Sequence, residues 1–120
     1  MKNKAQVWEE MQVRNIFKIK ETTKMHRGTC NIWPLFEKEL GTNIFAVEAE
    51  VANVLVPHRH NHHEFFYILH GRGVMKVEDE EGDVYPGDLI YIPPNALHSI
   101  RPKGKEYPIH YLCFGAPISK

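Results

Sequence analysis

Five of the eight histidines in this chain fall between His58 and His70, in the run His58-Arg59-His60-Asn61-His62-His63-Glu64 and its continuation to Gly71. On a β-strand, residues two apart point to the same face, so His58 and His60 can aim two imidazoles at one point. Glu64 follows after a connection long enough for a tight turn and opens an apolar run, Phe65 to Leu69. Two imidazoles and a carboxylate from adjacent strands form half of a cage for a divalent transition metal. His98, after the turn Pro93-Pro94-Asn95, offers a fourth ligand. Buried ionisable groups are costly unless they are paired or bound to metal, which favours one shared site over four separate polar side chains. Neutral imidazole with carboxylate suits Mn, Fe, Co, Ni, Cu or Zn. One metal per chain is expected, with Mn or Fe favoured.

The remaining histidines read more plainly. A single histidine on a strand is usually a polar residue with a hydrogen-bond partner, and His62, His63, His70 and His110 are taken that way. His62 and His63 suit a solvent-exposed turn, although either could stand in for Glu64 if that turn slipped by one. Phe66, Ile68 and His70 share the face of Glu64 and are expected to line the pocket. No dependable acid–base pair emerges: His26, His110, Tyr91 and Tyr111 are candidates with nothing to separate them.

Strands must hold these groups. Residues 43–51 alternate, with Phe45, Val47, Ala49 and Val51 on one face and Ala46, Glu48 and Glu50 on the other, the pattern of a half-buried antiparallel strand. Further strands are predicted over residues 54–60, 64–69, 74–78, 89–92, 96–101 and 109–114. Turns fall at Asn53, Gly71–Gly73, Pro86–Gly87 and Lys103–Lys105, and the acidic cluster 79–83 is read as a solvated hairpin tip. Towards the N-terminus, residues 4–12 suit a short helix, 13–20 a strand, 22–31 a loop, and Ile32–Phe36 an edge strand because it contains Pro34. Short strands separated by Gly, Pro or Asn indicate an all-β sandwich or barrel. The pattern is that of a jelly roll. No repeat or linker interrupts it, so residues 1–120 are expected to form one domain with a barrel core at about 43–116.

Composition narrows the function. The chain has 120 residues, 42% hydrophobic and 25% charged, with 15 basic and 15 acidic side chains and a formal net charge of zero. Nothing in that balance steers it to nucleic acid or an anionic membrane. No apolar run approaches the roughly 20 residues of a membrane helix, and the first twelve residues are too polar for a signal peptide. A cytoplasmic location is expected. Cys30 and Cys113 lie far apart without a C-x-x-C pattern and are expected as free buried thiols.

The two histidine-bearing segments resemble the two motifs of the cupin family. The first, G-x5-H-x-H-x3,4-E-x6-G, is matched by His58, His60, Glu64 and Gly71; the second, G-x5-P-x-G-x2-H-x3-N, by Gly87, Pro93 and His98. Ala52 replaces the leading glycine of the first motif. Asn95 replaces the middle glycine of the second, where it can still adopt the left-handed conformation, and Pro102 replaces the final asparagine. No ligand position is lost. The resemblance is to a small single-domain cupin of the conserved-barrel, cupin 2, RmlC-like type, and it implies a double-stranded β-helix. It also favours Glu64 over His63, since counting back from Gly71 reaches Glu64.

Three functions follow from the resemblance. The first is a metal-dependent enzyme acting on a small oxygen-chelating molecule: a dioxygenase, decarboxylase, isomerase or lyase. The second is a ligand-binding or sensing module resembling the effector domain of arabinose-type transcription regulators; those continue into helix-turn-helix repeats, whereas this chain stops at Lys120. The third is a metal-free structural cupin, which normally shows lost ligands. A small-molecule partner is expected, with no nucleic acid and no membrane. The apolar residues of the N-terminal third, including Trp8, Ile16, Phe17, Trp33 and Phe36, predict a homodimer in which strands from 13–36 cover the partner.

Overall fold

The computed structural model of the chain describes residues 11–22, 25–27, 30–37, 39–41, 44–104 and 107–118. Among the described residues, one short helix, α1 (Ile16–Thr22), precedes ten strands: β1 (Met25–Arg27), β2 (Cys30–Phe36), β3 (Phe45–Val51), β4 (Leu55–His58), β5 (His63–His70), β6 (Gly73–Val77), β7 (Glu80–Val84), β8 (Leu89–Ile92), β9 (His98–Pro102) and β10 (Ile109–Ala116). They form two antiparallel sheets, one in the order β1-β2-β3-β10-β5-β8 and one in the order β4-β9-β6-β7. The fold is the expected jelly-roll β-barrel. Val51, Phe66, Ile68, Ile92, Ile100 and Ile109 are its most deeply buried apolar side chains.

The alternation in β3 holds on the inner side, where Ala49 and Val51 enter the core and Phe45 and Val47 pack against it. The outer side differs from expectation, because Glu48 is 6% exposed rather than solvated. Helix α1 lies over this face of the sheet. The Lys20 ammonium pairs with the Glu48 carboxylate and sits 4.8 Å from the centroid of the Trp33 ring. Arg14 lies 4.4 Å over the ring of Phe36.

Helix α1 occupies a segment whose alternation predicts a strand. The local reason is Asn15, whose side-chain oxygen accepts from the backbone N–H groups of Phe17 (2.9 Å) and Lys18 (3.3 Å), a helix N-cap. Ile16 and Ile19 are then three apart on one helical face. Phe17 points away and is 76% exposed. Trp33, one of the residues behind the predicted dimer, is covered by the chain's own helix. The predicted helix over 4–12 lies outside the described residues, except for Met11 and Gln12, which are irregular.

Two further expectations change. The predicted loop 22–31 contains β1, whose Met25, His26 and Arg27 pair with Ile32, Asn31 and Cys30. Pro34 lies on β2 beyond that pairing, where a missing N–H costs no ladder bond on the β1 side. The acidic cluster is not a tip but the edge strand β7, paired along β6. Its charges are exposed, and a charged edge resists pairing with other chains. The chain reverses at Glu78, which has φ 51° and is anchored to Leu97 by two hydrogen bonds, one from its own N–H (2.7 Å) and one to its carboxylate (2.8 Å). Cys30 and Cys113 are buried and unbridged. Gly115 is required where β10 crosses β5: a Cβ there would strike the His63 carbonyl oxygen and the Phe45 ring.

Candidate metal centre

His58 ends β4, and His98 begins β9 directly opposite it. Cross-strand pairing therefore brings together two histidines forty residues apart in the chain. His60 is not on the strand but in the connection beyond it, where the Asn95 N–H donates to its carbonyl (2.7 Å). Asn95 does so from φ 65°, the left-handed conformation expected of it. Glu64 points inward from β5. The three imidazoles each offer a nitrogen, and those nitrogens lie within 4.8 Å of one another. Their ring centroids are 4.6 Å (His58–His60), 4.3 Å (His58–His98) and 5.5 Å (His60–His98) apart. The group can hold a metal ion.

Tautomers are set by the backbone. His58 Nδ1 is 2.7 Å from the Val56 carbonyl and His98 Nδ1 is 2.9 Å from the Ala96 carbonyl. A carbonyl only accepts, so each Nδ1 carries a proton and each neutral ring turns its Nε2 lone pair inward, as a metal-binding histidine requires. His98 Nε2 then lies 3.0 Å from Glu64 Oε1. Both atoms are sealed from solvent, and they are not aligned for a hydrogen bond. Two buried acceptors at that separation need a cation between or beside them, either a proton on His98 or a metal. The donor set fits a divalent transition ion.

The surrounding electrostatics fit as well. Burial by itself would raise the Glu64 carboxyl, but His98, His60 and His62 outweigh it and hold Glu64 below the ordinary carboxylate value. Burial lowers the His60 imidazole, against the pull of Glu64. At neutral pH the pair therefore presents an anion and a free lone pair.

The site opens on a cavity of about 590 Å³ lined by Phe66, Phe45, Val47, Ala49 and Tyr111 among others. Phe66 stacks on Tyr111 at 4.2 Å. Burial raises the Tyr111 hydroxyl well above its ordinary value, so it stays protonated. Cys30 and Cys113 also reach the cavity. The Cys113 thiol is pushed up by burial first and then by nearby Glu64.

Other expectations are corrected. Phe66 lines the cavity as predicted, but Ile68 is part of the closed core. His70 is exposed and pairs with His110 beside a register shift in β10. His110 lies 3.4 Å from Glu50 on the outer face, and Tyr91 is outside too, 2.7 Å from His63. Neither touches the site; the side chain of His26 lies outside the described residues. His62 is not in a solvated turn. Its side chain is 12% exposed, lines the cavity, stacks on His60 at 4.9 Å and places Nε2 3.4 Å from Glu64 Oε2. The signal was present: His58, His60, His62 and Glu64 form an unbroken two-residue series.

Fold and site together define a β-barrel protein with a histidine cluster at its interior. A family model described as "Cupin domain" matches residues 46–115, and the chain belongs to the cupin family. Over 87 residues it is 38% identical to an uncharacterized protein of Methanocaldococcus jannaschii, covering 65% of this chain and 69% of that one. It is also 34% identical over 59 residues to quercetin 2,3-dioxygenase of Bacillus subtilis, a match spanning 48% of this chain but 18% of that protein. The crystal structure of a predicted oxalate decarboxylase from Thermotoga maritima superposes with a TM-score of 0.78 at 18% identity, over 89% of this chain and 100% of that one. At that identity the likeness is one of fold. Among the described residues, no helix is long and apolar enough to cross a membrane.

Proposed function

We propose that His58, His60, Glu64 and His98 hold one divalent transition metal, Mn or Fe in preference to Ni, Zn, Co or Cu. We further propose that the protein is a metal-dependent enzyme acting on a small molecule that chelates through oxygen. The observation that carries this reading is the buried pair of His98 Nε2 and Glu64 Oε1, 3.0 Å apart with no hydrogen bond. When bound, such a metal polarises a carbonyl or lowers the pKa of a bound water. The protein's own part is to orient. Val56 and Ala96 fix the two imidazoles, and the apolar wall around Phe66 limits the water that reaches the site.

The names of two relatives, a quercetin dioxygenase and a predicted oxalate decarboxylase, support an enzymatic role without choosing a reaction. The test is elemental analysis of untagged protein followed by azide titration of the Co(II)-loaded form. One metal per chain and an azide-dependent change in the cobalt spectrum are expected. Absence of metal uptake removes the reading. Metal uptake with no response to azide means a closed site and moves the protein to the ligand-sensing class. The reading includes a homodimer, supported by the exposed apolar side chains Tyr67, Leu89 and Tyr91 on β5 and β8. A monomeric mass by light scattering removes that part.

A further inference from the structure

The two oxygens of Glu64 sit in different surroundings. Oε1 faces His98 Nε2 at 3.0 Å, is sealed from solvent and makes no hydrogen bond. Oε2 has His62 Nε2 within hydrogen-bond reach at 3.4 Å, and His60 Nε2 farther off at 3.9 Å. The His62 ring is held in place: it stacks on His60 with an interplanar angle of 13° and meets Phe45 edge-on at 5.0 Å. Of the two histidines near Oε2, His62 is the closer.

That contact has a coordination consequence. A carboxylate binds a metal through one oxygen or both, and a hydrogen bond to one oxygen both occupies it and fixes the rotation of the group. We propose that His62 is a positioning residue. By donating Nε2–H to Oε2 it holds Glu64 to one-oxygen coordination and keeps two adjacent positions of a six-coordinate metal open for a bidentate oxygen ligand. The inference rests on the metal reading above. On a six-coordinate metal, three imidazoles and one carboxylate oxygen would fill four of the six positions. If Oε2 also bound, one position would remain, and only single-donor ligands would fit. His62 thus selects the ligand class: molecules with two neighbouring oxygens, such as hydroxamates, 2-oxo acids or vicinal diols.

The test compares two probes on Co(II)-loaded protein by absorption titration, azide with one donor atom and acetohydroxamate with two neighbouring oxygens. Cobalt content is measured on the same samples. His62→Phe keeps a ring against His60 and Phe45 but cannot donate; His62→Gln keeps a donor. His62→Phe is expected to retain one cobalt per chain and azide affinity within about 3-fold, while acetohydroxamate binding weakens on the order of 10–100-fold, the range typical of outer-shell changes at metal sites. His62→Gln is expected to restore most of that loss. Equal losses for both probes, or none, overturn the positioning role. Loss of cobalt from both variants overturns it too, because His62 would then be a ligand. Should His62→Phe not fold, His62→Leu supplies the same comparison. Failure of the metal reading shows instead in the wild-type protein, as absent cobalt or silence toward azide, and the inference falls with it.

Discussion

Replacing Glu64 by glutamine should raise the melting temperature of the metal-free protein and shrink the rise that metal produces. With the His98 ring neutral in the metal-free protein, its Nε2 lone pair and the Glu64 carboxylate face one another at 3.0 Å. Glu64→Gln puts an amide N–H₂ in reach of His98 Nε2 and turns two opposed acceptors into a donor and an acceptor. Relieving a buried unsatisfied pair is worth about 1–3 kcal/mol. Unfolding entropy of roughly 2.1 cal/mol/K per residue over 120 residues makes 1 kcal/mol equal to about 4 °C in Tm. The metal-free variant should therefore melt about 4–12 °C above metal-free wild type.

Metal works the other way, stabilising wild type more than the variant. At 100 times Kd, wild type gains about 2.7 kcal/mol, roughly 11 °C. The variant has lost the anionic ligand. If its affinity falls ~100-fold, the same metal concentration gives it only about 2 °C. Differential scanning fluorimetry with chelator and then with Mn(II) or Ni(II) reads both arms. A metal-free Glu64→Gln that melts below wild type would refute this reasoning, since it would mean a charged His98 already satisfies the carboxylate as an ion pair.

Further outcomes follow from other contacts. His98→Ala should weaken metal binding by more than ~100-fold while His110→Ala, on the outer face beside Glu50, changes it less than about 3-fold; equal effects by calorimetry would place the site elsewhere. Metal-free protein should lose stability on acidification. Burial lowers the His60 imidazole, so the unfolded chain takes up its proton first and stability falls from about pH 6.5 downward. A melting temperature flat between about pH 7 and 5 would contradict this. Asn15→Ala removes the cap of α1 and should cost about 0.5–2 kcal/mol with metal affinity unchanged; no shift in Tm would show that the helix is held by Lys20 and Glu48 alone. Gly115→Ala should abolish soluble expression, because β10 and β5 cannot separate to admit the methyl group.

What the amino-acid order by itself determined is most of the strand framework and the set of side chains able to do chemistry. The alternation of residues 45–51, the spacing of His58 and His60, the distance from Gly71 back to Glu64, and the turn before His98 are all short-range patterns. A two-residue period reports directly on which side chains share a face. Length and turns then limit the fold to a barrel of short antiparallel strands.

Tertiary structure decided the rest, wherever a side chain's role depends on what comes to lie against it. Ile16–Thr22 has the alternation of a strand, but capping by Asn15 and a place to pack over Trp33 and Glu48 make it a helix. Glu48 has the pattern of a solvated residue and becomes buried once that helix covers it. His62 has the spacing of the others in its series, yet only the closing of the connection against Phe45 and Glu64 turns it into the cavity. His98 meets His58 because β4 pairs with β9, a contact between segments forty residues apart. Periodicity is a property of neighbours along the chain, whereas burial and pairing are properties of neighbours in space.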